Sequence, residues 1–145
     1  MPDGAIEFWV EEVDFTLEHP DQVLGWISPI IRDHGFGLAN LTYVFCSDEY
    51  LHQINLQYLK HDTYTDIVTF NNSDLPDQVM EGDIFISVDR VRENAQDLTI
   101  SFTNELHRVM IHGVLHLLGY DDKNPASQAA MREKEDSCLS LRKFI

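Results

Sequence analysis

The hydrophobic residues of this chain repeat with two different periods, one typical of strands and the other of helices. Short runs rich in β-branched and aromatic residues predict four strands, at residues 6–10, 41–46, 67–70 and 83–88. Apolar residues at helical spacing, preceded by capping residues, predict five helices, at residues 21–34, 48–59, 90–97, 104–118 and 127–141.

The order of these elements, with strands early and helices late, indicates the fold class. It predicts an α/β or α+β fold whose helices pack on a small sheet, with 67–70 as a central strand and 71–82 as the loop of a long hairpin. Asp89 and either Thr103 or Asn104 are the expected N-caps of the third and fourth helices. A chain of 145 residues, 43% of them hydrophobic, is long enough for one core and too short for two, so we expect residues 1–145 to form a single domain.

The predicted helix at residues 104–118 differs from the others because it is apolar nearly all round. Such a helix is expected in the middle of a fold rather than on its surface. It nevertheless carries His112 and His116, which are four residues apart and therefore lie on one face. Gly119 follows, the residue best able to adopt the left-handed conformation that ends a helix and turns the chain back.

The spacing of His112, His116 and Asp122 predicts a metal site. Two imidazoles on a rigid helix and a carboxylate returned by the glycine turn suit zinc, and three protein ligands leave a fourth position open for chemistry. The alternative is that both histidines are core residues bonded to carbonyl groups and that Asp122 caps the next helix. A zinc peptidase with the motif His-Glu-x-x-His has its general base where this chain has Gly113, so the ordinary peptidase mechanism is not expected.

The composition limits the classes of function further. A net charge of −15 argues against broad, indiscriminate nucleic-acid binding, although a local basic cleft or delivery by a partner protein stays open. Cys46 and Cys138 are too few for a disulfide framework, and buried thiols are expected. No stretch resembles a targeting sequence or reaches the length of a membrane span, so we expect a cytoplasmic protein without a membrane partner.

Four segments, in the same order along the chain, resemble the YbeY-type metal-dependent endoribonucleases that act in ribosomal RNA maturation. They comprise residues 54–55 with 58, residues 62 and 65–70, residues 82–87, and residues 112–121, which read HGVLHLLGYD. The resemblance implies a small mixed sheet with helices packed around a central metal-bearing helix, and a catalytic metal at His112 and His116. It also implies a ribosomal RNA precursor as substrate, 16S 3′-end processing and ribosome quality control as the setting, and ribosomal proteins or an assembly GTPase as partners.

The chain departs from the family pattern at the end of this motif. The family has a third histidine where this chain has Asp122. A carboxylate is a legitimate zinc ligand, but it makes the site harder and more negative than three imidazoles would, and the ion a weaker Lewis acid. The neighbouring Asp121 is an alternative to Asp122 as the third ligand, or else contacts a ligand without binding the ion itself.

A second departure is Leu59, which stands where the family usually has an arginine thought to contact the phosphate. Lys60 or His61 is a possible replacement for that positive charge, and both are equally well interpreted as solvated loop residues. Arg108, one helical turn before His112, is a further candidate for the substrate contact. Its position suits an ion pair with acidic surroundings equally well.

These observations lead to one mechanistic hypothesis and two alternatives. A divalent ion at His112, His116 and Asp122, with zinc expected and other divalent ions left open, polarises a phosphodiester of single-stranded RNA and activates the attacking water. Asp121 or His61 accepts the proton of this water. The sequence does not decide between attack by water and attack by the ribose 2′-hydroxyl. The alternatives are another metal hydrolase, such as a peptidase or amidase, and a non-enzymatic ribosome assembly factor whose metal stabilises the fold.

Overall fold

The computed structural model describes residues 5–73 and 79–144, and in these ranges it contains four strands and five α-helices. The strands are β1 (Ala5–Glu11), β2 (Gly37–Cys46), β3 (Ile67–Asn71) and β4 (Val79–Ser87). The helices are α1 (Pro20–Asp33), α2 (Asp48–Ile54), α3 (Val88–Leu98), α4 (Phe102–Leu117) and α5 (Pro125–Ser140). The predicted α+β class is therefore confirmed.

The strands form one mixed sheet in the order β1-β2-β4-β3. β1, β2 and β4 run parallel, and β3 runs antiparallel to β4, which confirms the predicted hairpin. The prediction that residues 67–70 form a central strand is wrong, because β3 lies at an edge of the sheet. Since α4 packs on both β3 and β4, this edge strand is covered by a helix and is as apolar as a central strand would be.

Strand pairing also corrects the predicted hairpin loop. β4 begins at Val79 rather than at residue 83, because Val79 and Met80 pair with Gly37 and Leu38 of β2 in the parallel ladder. Residues 79–82 therefore belong to a strand although their sequence is polar in part. Residues 74–78 of the predicted loop lie outside the described part of the chain.

The helices begin and end at other residues than predicted where several capping residues follow one another. Ser87 and Ser101 cap α3 and α4 through their hydroxyl groups, ahead of the predicted caps at residues 89 and 103 or 104. Asn124 and Ser127 form a capping box at the start of α5. α2 ends earlier than predicted and continues as a π-helical turn, Asn55–Leu59, which closes at the left-handed residue Lys60.

α4 lies in the interior, as its composition predicted, and ten of its sixteen residues are buried. Gly113 sets its distance from the sheet, because a Cβ atom there would lie 2.9 Å from Cδ1 of Ile84 and 3.0 Å from Cδ1 of Ile67. This close approach fixes the rotation of α4 about its axis. As a result, His112 contacts Glu135 of α5, and both His112 and His116 stay partly exposed to solvent.

Two further expectations concern the cysteines and membrane-spanning helices. Cys46 and Cys138 are both buried free thiols, as predicted. In the ranges that the structure describes, no helix combines the length and the apolar character needed to cross a membrane.

His107 on α4 is a buried histidine whose protonation opposes folding. Its ring packs against Trp26 and Phe144, and Arg142 donates a hydrogen bond of 2.8 Å to its Nδ1. Burial, together with the charge of Arg142, lowers the pKa of His107 from 6.5 to about 4. The unfolded chain binds this proton more readily, so the free energy of unfolding is expected to fall by up to about 3 kcal/mol as the pH drops from about 6.5 to about 4.

Urea unfolding at a series of pH values measures this effect. His107→Gln keeps an acceptor for Arg142 but does not titrate, so it should lose correspondingly less stability over the same pH window. Equal pH dependence of the two proteins would contradict the assignment.

Candidate metal centre

The end of α4 and the turn after it bring the two predicted histidines to the surface. His112 and His116 lie one helical turn apart, with their Nε2 atoms 3.0 Å from each other. Gly119 follows the C-cap Leu118 and ends the helix, as predicted, and the φ of +109° at this residue suits glycine. The turn is a Schellman motif with two hydrogen bonds of 3.0 Å. The Gly119 amide donates to the His116 carbonyl, and the Tyr120 amide donates to the Leu115 carbonyl. This motif turns the chain back towards the histidines.

Asp122 completes a cluster of three possible metal ligands. Its Oδ2 lies 3.5 Å from His112 Nε2 and 3.6 Å from His116 Nε2, and the donor atoms of the cluster lie within 4.8 Å of one another. Ligands of a tetrahedral zinc ion, with bonds of about 2.0–2.2 Å, are roughly 3.3 Å apart. The three side chains keep 21–41% of their surface exposed. Two nitrogens and one oxygen thus converge at a spacing that fits a divalent ion, on a side of the molecule that a substrate can reach.

Glu135 of α5 contacts the opposite edge of the His112 ring. Its Oε2 lies 2.5 Å from His112 Nδ1. Burial alone would lower the pKa of His112, but the hydrogen bond and charge of Glu135, with the charges of Asp122 and Asp66, raise it. For Glu135, burial acts to raise the pKa, and the contacts with His112 and Arg108 outweigh it and lower the pKa. The two groups therefore stabilise each other's charged forms.

Arg108, predicted as a substrate contact, is engaged in ion pairs. Its Nη1 lies 2.9 Å from Glu135 Oε1, and its Nη2 lies 2.6 Å from Asp136 Oδ1. The side chain is 20% exposed. The ion pair that the sequence offered as the alternative is therefore present, and a contact of Arg108 with substrate stays a prediction.

A polar cavity of about 170 Å³ adjoins His112, between α4, α5 and the start of β3. Burial, opposed only in part by His112 and other groups, raises the pKa of Asp66. Burial and the charge of Asp66 raise the pKa of Glu105, whose Oε1 has no hydrogen-bond partner among the described residues. The charged residues that line this cavity are Asp66, Glu105, Arg108, His112, Arg132 and Glu135. A larger cavity of about 440 Å³, beside Trp26 and Leu141, lies away from the histidines and is mostly apolar.

The structure does not bring the remaining predicted residues into the cluster. Asp121 is exposed and accepts a hydrogen bond of 3.3 Å from the Lys123 amide. The nearby Ser127 and that amide favour the charged carboxylate and lower its pKa. Lys60 and His61 are exposed on the turn that follows the π-helical segment, and in the described ranges their side chains form no hydrogen bond or ion pair. Their predicted roles at the phosphate and as proton acceptor therefore stay predictions.

Glu135 is the residue that the sequence analysis missed. Its signal was present but weak, since it lies on the inward face of α5 between Met131 and Cys138, both of which are buried. A glutamate among such residues is a buried charge that requires a partner. The sequence does not say which partner it has.

Comparisons with known proteins agree with this fold. Residues 15–142 match the family model described as Endoribonuclease YbeY. The chain is 46% identical over 144 residues to Endoribonuclease YbeY of Cytophaga hutchinsonii, which covers 99% of this chain and 100% of that protein. It is 46% identical over 145 residues to Endoribonuclease YbeY of Amoebophilus asiaticus, with 100% and 98% of the two chains covered. The solution structure of a Thermotoga maritima protein shares the fold, with a TM-score of 0.64 and 23% identity over 92% of this chain and 87% of that one.

A small mixed sheet packed on a central helix, with two histidines and a carboxylate converging where that helix ends, is the architecture of a metal-binding α+β enzyme. The matches, which extend over nearly the whole chain, define the family within this class. The chain belongs to the YbeY endoribonuclease family. The resemblance found in four segments of the sequence is thereby confirmed.

Proposed function

We propose that this chain is a zinc-dependent endoribonuclease that cuts single-stranded ribosomal RNA precursors. The supporting observation is the convergence of His112, His116 and Asp122 at one solvent-facing point, in a chain of the YbeY family. We further propose 16S 3′-end maturation and ribosome quality control, in the cytoplasm, as the setting.

Each residue of the cluster has a distinct task in this proposal. His112 and His116 would hold the ion through Nε2, and Asp122 through Oδ2. Zinc bound there would supply Lewis acidity at the scissile phosphate and a water nucleophile that is active near neutral pH. Asp122 adds a negative charge that a third imidazole would not, and the Lewis acidity is reduced accordingly.

The attacking water also requires a proton acceptor. Asp121 is a weak base, because its hydrogen bonds lower its pKa, and His61 is exposed on a turn outside the cluster. Asp66 lines the cavity beside His112, and burial raises its pKa. A carboxylate with a raised pKa is the stronger base, so we add Asp66 as a candidate acceptor, in a cavity that is lined by His112 but not by His116 or Asp122.

The acidic surface requires that RNA is bound locally or with help. The net charge is −15, so long-range attraction between this chain and RNA is not expected. Arg108 and Arg132 line the cavity next to His112, and the Arg132 side chain is 59% exposed. Arg132 is the more available counter-charge for phosphate, because Arg108 is already paired with Glu135 and Asp136. Ribosomal proteins or an assembly GTPase would deliver the RNA.

Neither alternative function is supported by a specific observation. A peptidase of the His-Glu-x-x-His type requires a glutamate at position 113, where Gly113 packs directly on Ile84 and Ile67. A purely structural metal site is expected to have four protein ligands. In the ranges described, the cluster contains three.

Removing and restoring the metal tests the proposal. Protein treated with a chelator is expected to lose cleavage of a single-stranded RNA, and one equivalent of zinc should restore it. A duplex of the same sequence should stay uncut. Linear phosphate ends on the products indicate attack by water, whereas 2′,3′-cyclic phosphates indicate attack by the ribose hydroxyl. Cleavage that persists without metal, or activity on peptides but not on RNA, would contradict the proposal.

A further inference from the structure

Glu135 is a buried charge on an otherwise apolar helix face. The residue is 5% exposed, and the neighbouring inward residues of α5 are Met131 and Cys138. A carboxylate removed from water destabilises the folded state unless charged or hydrogen-bonding partners compensate it. The partners of Glu135 therefore indicate why it is there.

Both oxygens of this carboxylate are engaged by residues of α4. Oε2 lies 2.5 Å from Nδ1 of His112, and Oε1 accepts a hydrogen bond of 2.9 Å from Arg108. Arg108 is held in turn by Asp136 at 2.6 Å. The Glu135 carboxylate thus has a fixed orientation, with one oxygen directed at His112.

The contact with Glu135 determines which nitrogen of His112 carries the proton. An ionised carboxylate only accepts hydrogen bonds, so Nδ1 of His112 must be the donor. Metal binding requires the neutral ring, and with the proton on Nδ1 the lone pair of that ring is on Nε2. Nε2 is the atom that lies 3.0 Å from His116 Nε2 and 3.5 Å from Asp122 Oδ2. The tautomer that Glu135 selects is therefore the one that presents a free nitrogen to the cluster.

The charges around the cluster are a second observation that links Glu135 to a metal ion. Arg108 pairs with both Asp136 and Glu135, and Arg132 lies 3.8 Å from Glu135. Asp122 and Glu135 place one carboxylate on each side of the His112 ring. Both carboxylates attract a cation bound at Nε2 of His112.

We propose that Glu135 is a positioning residue of the metal centre, which fixes His112 with its proton on Nδ1 and places a negative charge beside the ligands. Arg108 holds the carboxylate in place. The inference rests on the proposed function, since it assigns Glu135 to the metal site proposed there. Carboxylates behind metal-bound histidines typically change metal affinity by about 10–100-fold.

Zinc affinity of the full chain, measured by competition with a chromogenic chelator, tests the inference. Glu135→Gln keeps the size and an acceptor but removes the charge, and its zinc affinity is expected to fall by about 10–100-fold. Glu133→Gln is the matched control, because it makes the same chemical change at an exposed position of α5, two residues from Glu135. Its affinity should change by less than about threefold.

The proton position is a readout that needs no variant. Nitrogen-15 NMR of the zinc-loaded protein is expected to show His112 coordinated through Nε2, with the proton on Nδ1. Coordination through Nδ1, or equal affinities of Glu135→Gln and Glu133→Gln, would overturn the inference. His116→Ala separates the two proposals. If His116→Ala loses zinc and Glu135→Gln does not, the metal site stands and only the role of Glu135 fails. Zinc affinity retained in His116→Ala would refute the site itself.

Discussion

Replacement of His116 by alanine is expected to abolish stoichiometric zinc binding and to lower RNA cleavage by about 10³-fold or more. A catalytic metal contributes several kcal/mol of transition-state stabilisation, and each 1.4 kcal/mol corresponds to a factor of ten in rate. The described contacts of the His116 ring are with His112 and Asp122. Its side chain is 28% exposed, so the fold should tolerate the truncation. Calorimetric zinc titration and single-turnover cleavage of a labelled RNA measure both effects.

Two neighbouring aspartates provide the matched comparison for this experiment. Asp122→Asn is expected to lose zinc affinity and activity in the same direction as His116→Ala, because its Oδ2 faces both histidines. Asp121→Asn should retain both, since Asp121 is exposed and lies outside the cluster. The opposite ranking would assign the third ligand to Asp121. Unchanged cleavage in His116→Ala would exclude the cluster from the reaction.

Introducing the glutamate of a peptidase motif at position 113 is expected to unfold the protein rather than to create a peptidase. A Cβ atom on Gly113 alone would lie 2.9–3.0 Å from carbon atoms of Ile84 and Ile67. The carboxylate beyond it would be buried against the sheet without a partner. Overpacking and an unpaired buried charge together should lower the free energy of unfolding by at least about 4 kcal/mol, a large part of the stability of a typical protein. Urea unfolding followed by circular dichroism measures this loss.

Gly25 provides the control for this substitution. It also lies inside a helix, α1, but a Cβ atom there would have no other atom within 4 Å. Gly25→Glu is expected to be neutral or stabilising by about 0.5–1 kcal/mol, because glutamate is the better helix former. A Gly113→Glu protein that unfolds cooperatively at the urea midpoint of the original chain would show that α4 does not approach the sheet as closely as described.

The pair of histidines was predictable because the geometry of a helix is local. A spacing of four residues places His112 and His116 on one face whatever surrounds the helix, and the apolar composition of α4 predicted its burial. Gly119 also marked the end of the helix correctly. The choice between Asp121 and Asp122 was left open, because it depends on the direction in which the chain leaves the turn.

The contact between Glu135 and His112 was not predictable, because it depends on how α5 docks on α4. The two residues are 23 positions apart, and the helix pattern of α5 alone does not say which face of α4 it meets. The edge position of β3 has a similar cause. Its five residues are as apolar as those of a central strand. β3 is an edge strand because β4 is the one strand with which it pairs among the described residues. Local periodicity therefore predicted the helices and strands. The Glu135–His112 contact and the position of β3 depend on contacts between distant elements, which periodicity does not encode.

The order of the site residues along the chain has a consequence for protein synthesis. Residues 112–122 contain the three ligand candidates, whereas Glu135 belongs to the helix that follows them. The ligands therefore emerge from the ribosome before the carboxylate that orients His112. An ion captured by the nascent chain would be held weakly until α5 docks, and by reciprocity the ion would favour docking by the same factor. With the proposed role of Glu135, metal loading and completion of the C-terminal part of the fold would be coupled events in the maturation of this protein.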